Sequence, residues 1–245
     1  MNRSDPSLSA ETRYWVSAII PVYDGARYLG EAIESVRAQT HRPIQVIVVD
    51  DGSSDESARV AQQFGDAVQY IFQEHRGVSA ARNRGVEFAR GQFLAFLDAD
   101  DVWLKEKIER QLQAFDADPA LDMVFGYVQE FHSPELDERV KSKTIAKPDL
   151  QPGYVTGTML IRRESFLRVG MFDTGLVLSE FMDWYLRARE LGLHESIVPQ
   201  LLLRRRIHES NTGIRLRDAR NQYATVLKAA LERRRAGTRT KPRSS

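Results

Sequence analysis

From about residue 15 the chain alternates near-continuous apolar runs with segments whose apolar residues recur at helical spacing. Residues 16–23, 44–49, 68–72 and 93–97 are of the first kind and read as strands. Residues 26–39, 55–64 and 78–89 are of the second kind and read as helices. A strand that loses its apolar–polar alternation is covered on both faces, as in a parallel sheet. The order strand, helix, strand, helix therefore predicts an α/β domain with a Rossmann-like, mainly parallel central sheet flanked by helices.

The second half is less regular. Residues 123–131 and 197–203 read as strands, and residues 163–169, 180–191 and 216–235 as helices; Val102-Trp-Leu-Lys-Glu-Lys107 looks like one more helix start. Residues 132–153 are polar, carry Pro134, Pro148 and Pro152, and suggest a long functional loop. The expected organisation is a disordered segment over residues 1–14 and one domain over 15–214, its halves meeting near residue 116. A terminal helix over 215–235 and a basic disordered tail over 236–245 follow.

Composition narrows the chemistry. A net charge of +1 carries no general nucleic-acid signature. The absence of cysteine excludes disulfides, thiolate metal sites and a cysteine nucleophile. The polar start and the lack of a long apolar stretch give the expectation of a soluble, cytoplasmic protein. Residues 215–243 are strongly basic. They suit weak peripheral contact with anionic lipid, a solvated helix, or a helix at a homodimer contact.

Candidate site residues lie where strands end. The first strand runs into Pro21-Val-Tyr23-Asp24, the second into Asp50-Asp51-Gly52-Ser53, and the fourth into Asp98-Ala-Asp100-Asp101. In open α/β sheets that edge is where ligands bind. Three close carboxylates repel one another, so a hard divalent cation shared with substrate phosphates is a natural partner. Turn and cap roles account for Gly52 to Asp55 but leave two carboxylates at the end of a buried strand, where they can accept hydrogen bonds from a base or ribose. Gly77-Val-Ser-Ala-Ala-Arg82-Asn-Arg84-Gly85 opens the third helix, and Arg82 falls close to the same edge. It can meet a base or phosphate, or belong with Arg84 to a solvated face.

In this order Ile20-Pro-Val-Tyr23, Val48-Val-Asp-Asp-Gly-Ser-Ser-Asp55, Gly77 to Gly85, Ala89-Arg-Gly91 and Phe96-Leu-Asp-Ala-Asp-Asp101 resemble the inverting glycosyltransferases of family 2, with the GT-A fold. The resemblance is dense from Val16 to about Ala114 and thinner through Asn211. It implies a nucleotide-binding first half, a second half that meets the acceptor, and a nucleotide-sugar donor, most often a UDP-sugar, with Mn²⁺ or Mg²⁺ at its diphosphate. By position, Pro21 and Tyr23 would frame the base, Asp50 or Asp51 and Arg82 would contact it, and Asp98 would lie near the ribose. Asp100 would be the principal metal ligand and His208, in Arg204-Arg-Arg-Ile-His208-Glu-Ser-Asn211, a second one. Family members place an acidic pair, Glu-Asp, before Asp and Trp at the start of a late helix. This chain has Glu180-Phe181-Met182-Asp183-Trp184, so the second acid is replaced by Phe181. Glu180 is the expected base, with Asp183 as the rival.

Two other readings stay open. A nucleotidyltransferase would also bind nucleotide at this edge, but Tyr23-Asp-Gly-Ala-Arg-Tyr-Leu lacks the Gly-rich, Arg/Lys-bearing turn of that class. A non-catalytic nucleotide-sugar binder would account for Phe181 and not for the retained acids. The acceptor is open among a lipid-linked glycan, a peptide and a small metabolite. The lack of an attached membrane segment argues against a processive polysaccharide synthase.

Overall fold

Strands β1 (Val16–Val22), β2 (Ile44–Asp50), β3 (Gln69–Phe72) and β4 (Phe93–Phe96) pair in parallel in the order β3-β2-β1-β4. The computed structural model describes residues 14–136, 141, 146, 149–209, 211 and 221–239. Register pairs Val16 with Ile44 and Val22 with Asp50, so β1 and β2 end level and deliver Tyr23 and Asp51 to one edge. Every residue of β1 and β4 is buried. Val16, Ala18, Ile20 and Val22 pack on α1 (Ala26–Arg37) through Leu29 and Ile33, while Ile19 on the other face packs with Ala81 and Val86 of α3 (Val78–Phe88). Two covered faces explain the missing alternation. A Cβ on Gly85 would lie 2.3 Å from Ile19, so α3 rests directly on β1 only because residue 85 has no side chain. Helix α2 (Ser57–Gln62) lies beside α1 and completes this half.

Beyond β4 the sheet is mixed, with antiparallel pairs alongside one long parallel pair, β6 with β9. Strand β8 (Leu160–Arg162) is antiparallel to β4, and β6 (Met123–His132) is antiparallel to β8. Next comes β9 (Glu195–Ile207), parallel to β6, and last β5 (Val102–Trp103), antiparallel to β9. Strand β7 (Gln151–Gly153) pairs with β6 and lies within the segment expected to be a loop.

Residues 102–103 are therefore strand, contrary to the helix start expected there. Helix α4 (Lys107–Ala117) begins only after Leu104 N–H has bonded to the Leu202 carbonyl. Strand β9 also outruns its expected end at Leu203, because pairing with β6 holds Arg204 to Ile207 extended despite their polarity. Lys107 is fully buried; its Nζ donates to Gln111 Oε1 at 2.8 Å and lies 4.3 Å from the Trp103 ring centroid. Burial pushes its pKa well below the ordinary lysine value.

Helices α5 (Arg163–Val169) and α6 (Glu180–Glu190) fall where periodicity placed them. Helix α7 (Asn221–Arg239) packs on α6 and runs four residues into the tail expected to be disordered. The expected disorder over residues 1–13 and 240–245, and the helix start at 216–220, lie outside the described residues. No described helix is long and apolar enough to cross a membrane.

Candidate active site

A cavity of about 820 Å³ opens at the edge where β1, β2 and β4 end. All the predicted site residues except Asp50 and Asp183 line it. The two exceptions have other partners. Asp50 accepts from Ser53 N–H and the Tyr70 hydroxyl, both at 2.8 Å. Asp183 accepts from Arg187 Nε at 2.8 Å, with Arg233 3.8 Å away.

At one end of the cavity the exposed Tyr23 ring stands 4.1 Å from the His75 ring at an angle of 31°. Asp51 is buried just behind. Its carboxylate accepts from Gln73 Nε2, Arg76 N–H and Gly77 N–H at 2.7–2.9 Å, and His75 Nδ1 lies 2.9 Å from it. Asp51 thus holds the turn that opens α3, and Gly77 supplies the left-handed backbone (φ 87°) that the turn requires. With those donors satisfied, Asp51 shapes the Tyr23–His75 end of the cavity and has little capacity left for a ligand.

The acids after β4 diverge to separate partners. Asp98 is the most exposed and accepts from Arg82 Nη2 at 2.7 Å. Asp100 Oδ2 lies 2.8 Å from His208 Nε2 and 3.1 Å from the Asn211 amide nitrogen. Asp101 is buried and accepts from Arg206 N–H at 2.8 Å. Burial, followed by repulsion from Asp100 and Asp98, raises the Asp101 pKa well above the usual carboxylate range.

On the far wall Arg82 is the hub. Only 3% exposed, it donates through Nη1 to Glu180 Oε1 and through Nη2 to Asp98 Oδ1, both at 2.7 Å. Burial opposes its charge, but the two carboxylates outweigh burial and raise its pKa above the ordinary value. Arg84 is exposed and paired with Glu87, which separates the two arginines that sequence alone left together. Glu180, at the first turn of α6, lines the cavity; among the described residues its Oε2 is buried without a hydrogen-bond partner. Phe181 turns elsewhere, stacking with Tyr185 (6.0 Å, 27°) and meeting Phe125 edge-on (6.3 Å).

Some lining residues were not foreseen. Glu135 accepts from the Tyr28 hydroxyl and pairs with Arg27, bringing the segment after β6 against α1. Hydrogen bonds from Ser133 and Tyr28 pull the Glu135 carboxyl down to about 2. Nothing in the polar run around Glu135 marks it in advance. Asn211 was visible, three residues beyond His208, but not its contact with Asp100.

Among the described residues no three carboxylate or imidazole groups gather into a closed metal-ligating set. Asp100 and His208 still offer two suitable donors on the cavity wall. That fits a divalent cation that completes its shell with substrate oxygens and water.

Comparison with known proteins agrees with this geometry. The model of the family described as glycosyl transferase family 2 matches residues 17–172. An uncharacterized glycosyltransferase of Rickettsia prowazekii is 32% identical over 213 residues, spanning 80% of this chain and 65% of the relative. Glycosyltransferase GlyG of Streptococcus pneumoniae is 34% identical over 119 residues, 46% of this chain and 40% of that protein. The chain thus spans less than two-thirds of these curated relatives. Among solved structures, S. aureus TarS 1–349 in complex with UDP-GlcNAc superposes with a TM-score of 0.65 at 19% identity, over 80% of this chain and 59% of that one. The mannosyltransferase PcManGT of Pyrobaculum calidifontis, in complex with GDP-Man and Mn²⁺, gives 0.65 at 20% identity, over 91% and 66%. Both share the mixed α/β architecture of the GT-A fold. With its acids at the ends of β2 and β4 and the family match running from β1 past α5, the chain belongs to glycosyltransferase family 2.

Proposed function

We propose that this chain transfers a sugar from a nucleoside-diphosphate sugar, with UDP as the favoured nucleotide, to an acceptor hydroxyl with inversion at the anomeric carbon. The observation that carries this reading is Glu180: a carboxylate on the cavity wall whose Oε2 is buried without a hydrogen-bond partner among the described residues, joined through Arg82 to Asp98. A base must take the acceptor proton on the face of the sugar away from the departing diphosphate. In this reading Glu180 is that base. As Oε2 takes the proton, the acceptor oxygen bonds to the anomeric carbon, and the bond from that carbon to the diphosphate oxygen breaks with its electron pair.

The other residues bind and orient. Tyr23 and His75 offer aromatic faces for the base. Arg82 keeps the acid beside the ribose position and the proton acceptor in fixed relation. Asp100 and His208 would hold Mn²⁺ or Mg²⁺, which when bound would offset charge on the leaving diphosphate. The proteins named with UDP-GlcNAc and with GDP-Man and Mn²⁺ support a nucleotide-sugar donor and leave the nucleotide to be determined.

Isothermal titration with UDP and with GDP, each with Mn²⁺ and with chelator, tests the donor side. UDP should bind more tightly than GDP, and metal should strengthen binding in the parent protein but not in Asp100→Ala. Equal heats with metal and with chelator would remove the metal from this reading.

A further inference from the structure

Helix α7 is anchored to the body on one face and bare on another. Val226 and Ala230 are buried against the domain, and Arg233 Nε donates to Glu190 at 2.8 Å. At its start, Gln222 Oε1 accepts from Val177 and Leu178 N–H, and the Tyr223 hydroxyl donates to the Leu178 carbonyl at 2.9 Å. The helix is therefore fixed relative to the cavity, whose wall includes Val177 and Tyr223.

Round the helix from that buried face run Tyr223, Leu227 and Leu231, exposed by 40%, 49% and 53%. Four-residue spacing stacks them in one apolar stripe. Val177, 44% exposed, extends the stripe at the cavity end. Lys228 and Arg235 are exposed on the stripe's outer flank, and Glu232, one turn on from Lys228, is exposed beside them. Residues 215–245 hold ten lysines and arginines against two acids, Asp218 and Glu232.

We propose that this stripe docks the protein on an anionic lipid surface. Leucines and a tyrosine beside cations match the boundary between acyl chains and negative headgroups. A second copy fits less well. A row of three side chains falls far short of the roughly 800 Å² per partner of a stable interface, and two strongly basic segments repel each other. Because the stripe begins at the cavity wall, docking sets the cavity mouth beside the membrane plane. An acceptor hydroxyl carried by a lipid-anchored molecule would then be within reach, an implication that rests on the transfer reading above. Docking itself does not.

Co-sedimentation of the full chain with vesicles tests docking without donor or turnover. Phosphatidylcholine mixed with phosphatidylglycerol should retain the protein at least about fivefold better than phosphatidylcholine alone, and high salt should release it. Leu227→Ser with Leu231→Ser, both outside the cavity, should reduce retention about tenfold with an unchanged thermal unfolding curve. Equal retention on both vesicles, no retention, or undiminished retention of the double variant would each overturn the proposal. So would a dimer in sedimentation velocity that the double variant abolishes, which would assign the stripe to a second copy.

Discussion

The two halves of the sheet build the site in different ways. Strands β1 to β4 are parallel, so their carboxyl ends fall on one edge and their polar residues converge by topology alone. Strands β8, β6, β9 and β5 mix directions and share no common edge. The second half contributes through groups that reach back: the Glu180 side chain on α6 to Arg82, the backbone N–H of Arg206 to Asp101, and the His208 ring to Asp100. The parallel half supplies the edge, and the second half partners Arg82, Asp100 and Asp101 on it. On the transfer reading proposed above, donor binding would rest mainly on the first half and proton transfer on the second.

The largest effect should come from splitting those tasks. Glu180→Gln keeps shape and hydrogen bonding and removes the proton acceptor. Turnover should fall by about 10²–10⁴ while the UDP dissociation constant stays near normal. Asp183→Asn, at a residue already occupied by Arg187, should cost far less. Steady-state transfer assays with UDP titrations decide this; normal transfer by Glu180→Gln with loss in Asp183→Asn would exchange the two roles.

Next in size is the joint between the halves. Arg82→Lys retains charge, but a single ammonium lacks the planar fork that spans Asp98 and Glu180. Losing one charge-assisted bond inside the protein is worth about 1.5–3 kcal/mol, so Arg82→Lys should lower stability and, by loosening Asp98, weaken UDP binding, whereas Arg84→Lys should change neither measurably. Equal affinities for the two variants would mean that the halves are not coupled through Arg82.

The smallest effect is a control outside both tasks. Lys107 has a depressed pKa in the folded state, so the unfolded chain binds its proton more tightly. Its contribution to stability is unfavourable at neutral pH and improves as pH rises from the lowered value toward about 10.4. Lys107→Met should therefore stabilise the protein by about 1 kcal/mol or more near pH 7, with a smaller gain near pH 9.5. Denaturant unfolding at both values checks it, and an equal loss at both would show that the bond to Gln111 outweighs the burial.

The same contrast explains what could be read in the sequence. Strands β1 to β4 announce themselves because burial on both faces writes a continuous apolar run. Strands β5, β7 and β8 have two or three residues each, too few for any period to register. The arginines at the end of β9 hide it, since only pairing with β6 keeps them extended. In the site, Asp50 and Asp51 are adjacent and indistinguishable by type, but successive strand residues face opposite ways, and only Asp51 reaches the cavity. Phe181 reads as a lost acid, yet it belongs to an aromatic cluster with Tyr185 and Phe125 on a different face of α6.

The reach-back contacts also carry a consequence for synthesis. They join residues 98, 105 and 108 positions apart. At roughly 5–20 residues per second, a ribosome would release the acids after β4 roughly 5–20 s before His208 arrives. Throughout that interval Asp100 and Asp101 lack the partners they have in the finished fold, while Asp98 already has Arg82. The first half's final closure must wait for β9, so the nascent chain should gain protease resistance late and in one step.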